Sequence, residues 1–146
     1  MDWKECVNKR IVKDVKPDIS LIESLIKSSR NKALSEEKLE MNEITAGSKL
    51  SLAYDALREL LEALALKKGF KVYNHECYCA FLKEILNESS KGDEFDEIRK
   101  IRNSVNYYGK EIPEKESGDI IRRIYILRKC ILTELILFSK PSAQQD

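Results

Sequence analysis

The amino-acid sequence predicts an all-α protein: an up-and-down antiparallel bundle of four long helices with short helices added. Three observations carry that expectation. Glycine and proline are sparse, five and three in 146 residues, so little interrupts a helix. β-branched residues nowhere alternate with polar ones for long, which removes the usual strand signal. Apolar residues recur instead at steps of three and four, the spacing of one helix face.

The first element expected is a short helix around Trp3 to Lys9. Val15-Lys16-Pro17 leads into a second, with Asp18 as N-cap and Ile19, Ile22, Leu25 and Ile26 at helical spacing. Asn31 to Met41 either extends that helix or forms a bend. The third and strongest helix, from about Glu43 to Lys68, carries Leu50, Ala53, Leu57, Leu60, Leu61 and Leu64 as its stripe. Lys67-Lys68-Gly69 ends it, the cations complementing the helix dipole and the glycine supplying a left-handed residue.

A fourth helix is expected from about Glu76 to Asn87, where Tyr78, Phe81, Leu82 and Ile85 line up, and Ser89-Ser90-Lys91-Gly92 reads as a turn. The fifth runs from Asp93 to Tyr108; its acidic start suits the positive dipole end, and Gly109 stops it. The last begins near Pro113 and continues to Phe138 along Ile120, Ile124, Leu127, Ile131, Leu135 and Phe138. Residues 1–146 are expected to form a single domain, with 1–17 as an N-terminal extension and 139–146 as a flexible tail.

Charged residues make up 35% of the chain with a formal net charge of +1, so global charge favours neither nucleic acid nor membrane. Attraction to phosphate has to come from a local patch. The chain starts without a basic region followed by an apolar run, and no stretch approaches the length of a membrane span, so a cytoplasmic protein is expected. Cys6, Cys77, Cys79 and Cys130 show no disulfide framework and no C-x-x-C, and read as reduced thiols. No glycine-rich phosphate loop occurs, and no cofactor is implied.

The lone histidine, His75, is expected at or near a helix N-cap, with Cys79 facing the core. His75 and Cys79 share a helix face while Cys77 points away, a poor geometry for metal, so no metal site is assigned.

The segment from Ile98 to Gly109 is the most informative. Phe95, Ile98, Ile101, Val105 and Tyr108 form an apolar stripe, which places Tyr108 towards the core. Arg99, Arg102, Asn103 and Asn106 occupy the opposite face, where guanidiniums and carboxamides suit a phosphodiester. Tyr107 and Tyr108 beside them offer a stacking surface. Arg122, Arg123, Arg128 and Lys129 form a second basic set that extends a single-strand groove if it borders Arg102.

Arg102-Asn103 followed by an aromatic pair and glycine, on the penultimate long helix of a small all-α chain, resembles the HEPN domain, whose signature is Arg-Asn, a few variable positions and His. The stretch from Leu52 through Gly69 to His75-Glu76 is similar to archaeal and bacterial members, and the likeness runs from about Ile19 to Leu137.

The resemblance implies a homodimer whose motif helices face each other across a shared cleft. It also implies metal-independent ribonuclease activity in many members, often in toxin–antitoxin or defence systems, some paired with a minimal nucleotidyltransferase. By the motif, Arg102 holds the scissile phosphate and Asn103 supports it. The family histidine has no counterpart, its place falling near Tyr107. A tyrosine, near 10, is a poor general base at neutrality, where a histidine near 6.5 is apt.

Arg102 and Tyr107 are five positions apart, about 140° around an ideal helix, so they should converge only across a dimer or beyond a bend. The expected function is therefore RNA or nucleotide binding by Arg99, Arg102, Asn103, Asn106 and Tyr108, with weak or absent cleavage. The alternatives are an active endoribonuclease using Arg102 with Tyr107, and a non-catalytic partner or scaffold of a minimal nucleotidyltransferase. His75 replacing the missing group from another helix is a further route to activity.

Overall fold

The structure, a computed structural model, describes residues 1–139, with side chains as far as Leu137. Four long helices pack antiparallel, with short helices and a small two-stranded sheet at one side. In chain order the elements are α1 (Trp3–Asn8), β1 (Val12–Asp14), α2 (Ile19–Lys38), α3 (Ala46–Lys67), β2 (Phe70–Val72), α4 (Cys77–Ala80), α5 (Ser89–Tyr108) and α6 (Glu114–Ser139). A π-helical turn, Phe81–Ile85, follows α4 directly.

α3 is the axis of the fold. Its expected stripe, Leu50, Ala53, Leu57, Leu60, Leu61 and Leu64, is fully buried, and Tyr54 with it. Ile22 of α2, Phe95 and Ile98 of α5, and Ile120, Ile124, Leu127, Ile131 and Leu135 of α6 close around it. Burying a side chain of this size contributes about 1.5–3 kcal/mol, so the seam of α3 dominates the stability. Asp18 caps α2, its carboxylate accepting from the Leu21 amide at 3.1 Å. Gly69 and Gly109 adopt the left-handed conformation that ends α3 and α5. The polar segment after Asn31 continues α2 to Lys38. The side chain of Phe138 and the tail 140–146 lie outside the described residues.

The amino-terminal side departs from expectation. Val12 pairs with Val72 and Asp14 with Phe70 in an antiparallel ladder of three residues each, too short to register as alternation in the sequence. That pairing folds α1 back over α4. Trp3 meets Phe70 edge-on, with ring centroids 5.1 Å apart, and Cys6 forms a disulfide with Cys77, 71 positions away. The expectation of four reduced thiols is therefore wrong for this pair, whose partnership comes from chain topology and leaves no local spacing signal. Cys79 and Cys130 are free.

The stretch expected as one helix from Glu76 to Asn87 is α4 followed by the wider turn, in which the Leu86 amide reaches back to the Phe81 carbonyl. Ser89-Ser90-Lys91-Gly92, expected as a turn, is instead the first turn of α5. Gly92 serves close packing: a Cβ there would lie 2.6 Å from Lys83 Cγ and 3.0 Å from the Cys79 carbonyl oxygen. Cys79 is half-buried against this contact, and Cys77, the fully buried one of the two, carries the disulfide.

Candidate functional site

α3 and α5 present polar stripes to each other beside the core. On α3 the stripe is Ser51, Asp55, Arg58 and Glu62, at steps of four, three and four. On α5 it is Arg99, Arg102 and Asn106, at steps of three and four. The loop after β2 brings His75 to the same place.

Arg102 is at the centre and is far from open: its side chain is 12% exposed. Its guanidinium lies over the Tyr54 ring, 4.9 Å from the centroid. With the Asn106 amide turned so that oxygen faces arginine, Oδ1 accepts from Arg102 Nε and Nη2 at 3.1 and 3.3 Å, and Nδ2 donates to Ser51 Oγ at 2.7 Å. Asp55 is 3.6 Å from Nη2, a loose ion pair. The polar face is thus not an exposed ridge. On a helix wheel Arg102 stands only about 20° from Phe95 and about 40° from Ile98, so it borders the core and is enclosed with it.

Arg102 Nη1 also donates to the Tyr107 hydroxyl at 3.4 Å, within one protomer. The two were expected to converge only across a dimer or a bend; two long side chains at the last turn span the angle instead. Tyr107 itself is 69% exposed. Tyr108, expected towards the core, is 78% exposed. Its stripe runs past the end of the packed surface: Ile101 and Val105 are already only partly buried.

Arg99 is held by Asp96, with Nη2 and Nε at 2.8 and 3.1 Å from one carboxylate oxygen. Burial alone would raise the Asp96 carboxyl, but the hydrogen bonds from Arg99 and Lys100 outweigh it and hold it below its ordinary value. Arg58 pairs with Glu62 at 3.1 Å. Asn103, although adjacent to Arg102, has no side-chain partner among the described residues. The structure therefore gathers Arg99, Arg102, Asn106 and Tyr107 and leaves Asn103 and Tyr108 apart.

His75 makes no N-cap. The Glu76 amide is taken by Asn74 Oδ1 at 2.9 Å, and His75 Nδ1 lies 3.2 Å from the buried Tyr54 hydroxyl. Burial lowers its pKa to about 4, and Arg58, Arg102 and Arg99 each push the same way. Three carboxylates match the three guanidiniums one for one, yet at the imidazole the cationic field prevails. Tyr54 is driven up by burial, with the arginines opposing. Sequence reading missed Tyr54, Asp55 and Arg58, although the polar steps along α3 match those of α5 and were open to notice.

The second basic set is elsewhere. Arg123 reaches Glu94 and Glu97, which lie on the flank of α5 opposite Arg99. Arg122 pairs with Asp119, and Arg128 donates to Ser29 Oγ at 3.0 Å, on the α2 side. None of these contacts involves Arg102. A cleft of about 540 Å³ is lined by Glu43, Glu111, Ile112, Pro113 and Glu114, three of them acidic. Among the described residues no three His, Cys, Asp or Glu side chains group as a metal site, and no helix is long and apolar enough to cross a membrane.

Comparison of the chain with protein-family models, curated proteins and solved structures finds no match. Function has to be argued from the site alone.

Proposed function

We propose that this chain is a HEPN-like protein that binds RNA or a nucleotide at the Arg102 cluster, with weak or absent ribonuclease activity. The observation that carries the reading is the geometry at Arg102: its guanidinium lies 4.9 Å over the Tyr54 ring, is bonded to Asn106, and has its carboxylate partner Asp55 only at 3.6 Å, with Arg58 and Arg99 beside it on the facing stripes. Arg102 is preorganised by its stack on Tyr54 and its paired bonds to Asn106, while its weakest partners, Asp55 and Tyr107, are the ones a phosphate can displace.

Weak catalysis follows from the absence of a suitable base on α5. The nuclease reading keeps one favouring observation, the exposed Tyr107 hydroxyl in contact with Arg102. Homodimerisation through α5 and α6 fits the exposed Ile126, Ile136 and Leu137 on α6. A place in a toxin–antitoxin or defence system, in the cytoplasm, accords with an RNA ligand; there the Cys6–Cys77 bond would face cellular dithiols.

The test is RNA binding by wild type and Arg102→Ala. Loss of a charged hydrogen-bonding partner should weaken binding by about tenfold or more. Equal affinities would remove the cluster from the account. The same proteins incubated with RNA in chelator test cleavage: cyclic-phosphate products that vanish in Arg102→Ala would establish the nuclease.

A further inference from the structure

His75 is a polar group of the cluster whose outward side has no partner among the described residues. Nδ1 is tied to Tyr54, Nε2 has no partner among the described residues, and it is not among their fully buried unpaired atoms, of which Glu59 Oε1, on the α2 side of α3, is the one found. Nε2 is therefore open to solvent. The proton's location follows from Tyr54, which is fully buried and whose hydroxyl has His75 as its partner. If Nδ1 carried the hydrogen, the Tyr54 hydroxyl hydrogen would be left buried without an acceptor, the costlier arrangement. Tyr54 donates, Nδ1 accepts, and the ring hydrogen sits on Nε2.

We propose that His75 is a specificity-determining residue of the Arg102 site, offering its Nε2–H to a phosphoryl oxygen of the bound RNA or nucleotide, with Tyr54 as the positioning residue that fixes the tautomer. This rests on the reading of the cluster as a phosphate site. The groups facing His75 are Tyr54 and Arg58 from α3, Tyr78 from α4, and Arg99 and Arg102 from α5. They favour a neutral donor: the guanidiniums oppose an imidazolium and no carboxylate supports one. A ring with Nδ1 engaged and Nε2 protonated has no outward lone pair, so His75 recognises phosphate and does not activate a ribose 2′-hydroxyl.

Because His75 is the only histidine, nitrogen NMR of the imidazole reports this ring alone. In free protein at neutral pH the expected spectrum shows a bare Nδ1 and a protonated Nε2, and Tyr54→Phe, which keeps the ring stack, should yield a mixture of tautomers. Adding a short oligoribonucleotide should move the Nε2–H signal and raise the ring's pKa by about one pH unit or more, as the ligand's charge offsets the arginines. His75→Ala should weaken binding about tenfold while His75→Gln, which retains a donor, recovers most of it.

A protonated Nδ1 in the free protein overturns the proposal. So does an oligoribonucleotide whose binding Arg102→Ala abolishes but which leaves the His75 signals unmoved; in that case the site survives and only the role of His75 falls. Failure of wild type to bind any ligand defeats the site itself. Parallel titrations with a nucleoside monophosphate and with inorganic phosphate separate a strand from a free nucleotide as the source of the phosphoryl group.

Discussion

Two polar clusters flank α3, and they differ in how much bonding capacity is left over. On the α2–α6 side Lys49 and Glu36, both buried, form an ion pair at 2.6 Å. Lys49 Nζ also donates to the carbonyls of Glu36 and Leu39 at 2.7 and 2.5 Å, and the Tyr125 hydroxyl donates to the Glu36 carboxylate. All three ammonium hydrogens are used, so the cluster is saturated and structural. On the α5 side Arg102 holds a loose carboxylate at 3.6 Å and an exposed tyrosine, and His75 has a free ring nitrogen. Similar residue types are spent on packing in the first cluster and, in the proposed reading, left for recognition in the second.

The largest effect expected from breaking this contrast is on the saturated side. Lys49→Met leaves Glu36 as a buried, uncompensated charge and should cost about 3–5 kcal/mol in denaturant unfolding. Adding Glu36→Leu should restore much of it, because a well-packed apolar pair replaces a buried ion pair at little cost. RNA affinity of whatever protein remains folded should not change. A change of more than about threefold, or about 0.7 kcal/mol, would show that the two clusters are coupled.

Next in size is the Cys6–Cys77 bond, which ties α1 to the segment carrying His75 two residues earlier. Closing a loop of this length stabilises by about 4 kcal/mol in the chain-entropy model, so Cys6→Ser with Cys77→Ser should cost about 2–4 kcal/mol. The loss should appear equally when wild type is unfolded in a dithiol reductant. The His75 ring signals should shift in the reduced protein, while Tyr125 beside Glu36 should not respond. Retention of the His75 signals would separate the amino-terminal clamp from the site.

The third effect is a pH dependence specific to the open cluster. The folded pKa of His75, about 4, is below the ordinary 6.5, so between these values the unfolded chain takes up the proton more readily. Its contribution is full above about pH 6.5 and is lost as pH falls towards 4. A shift of this size corresponds to about 3 kcal/mol, which solvent around a half-buried ring reduces to about 1–2 kcal/mol. Stability measured from pH 7 to 4 should fall less steeply in His75→Gln than in wild type. Parallel profiles would mean that the imidazole is not desolvated as described.

Much of this architecture was legible from periodicity. The stripe of α3, the Asp18 cap and the stops at Gly69 and Gly109 are local signals, and each has a local cause. What was not legible depends on distant pairing: a ladder of three residues, a disulfide spanning 71 positions, and His75 meeting Tyr54 from another element. The arginine face was legible in composition but not in exposure, because a helix wheel places Arg102 without saying how closely α3 packs beside it. Tyr108 failed for the complementary reason: it continued a stripe beyond the neighbour that buries it.

The smallest effect tests whether position or charge makes the site. Arg123 bears the same charge as Arg102 and is held by two carboxylates, Glu94 and Glu97, on the other flank of α5. It is partly solvated, so Arg123→Ala should lower stability by less than about 1 kcal/mol. Its guanidinium touches neither Tyr54, Asn106 nor His75, and salt screens it beyond about 8–10 Å. RNA affinity near physiological salt should therefore change by less than about twofold, against about tenfold for Arg102→Ala. Equal losses in the two variants would mean that RNA responds to overall charge, and the oriented cluster on the α3 side would have no special claim on it.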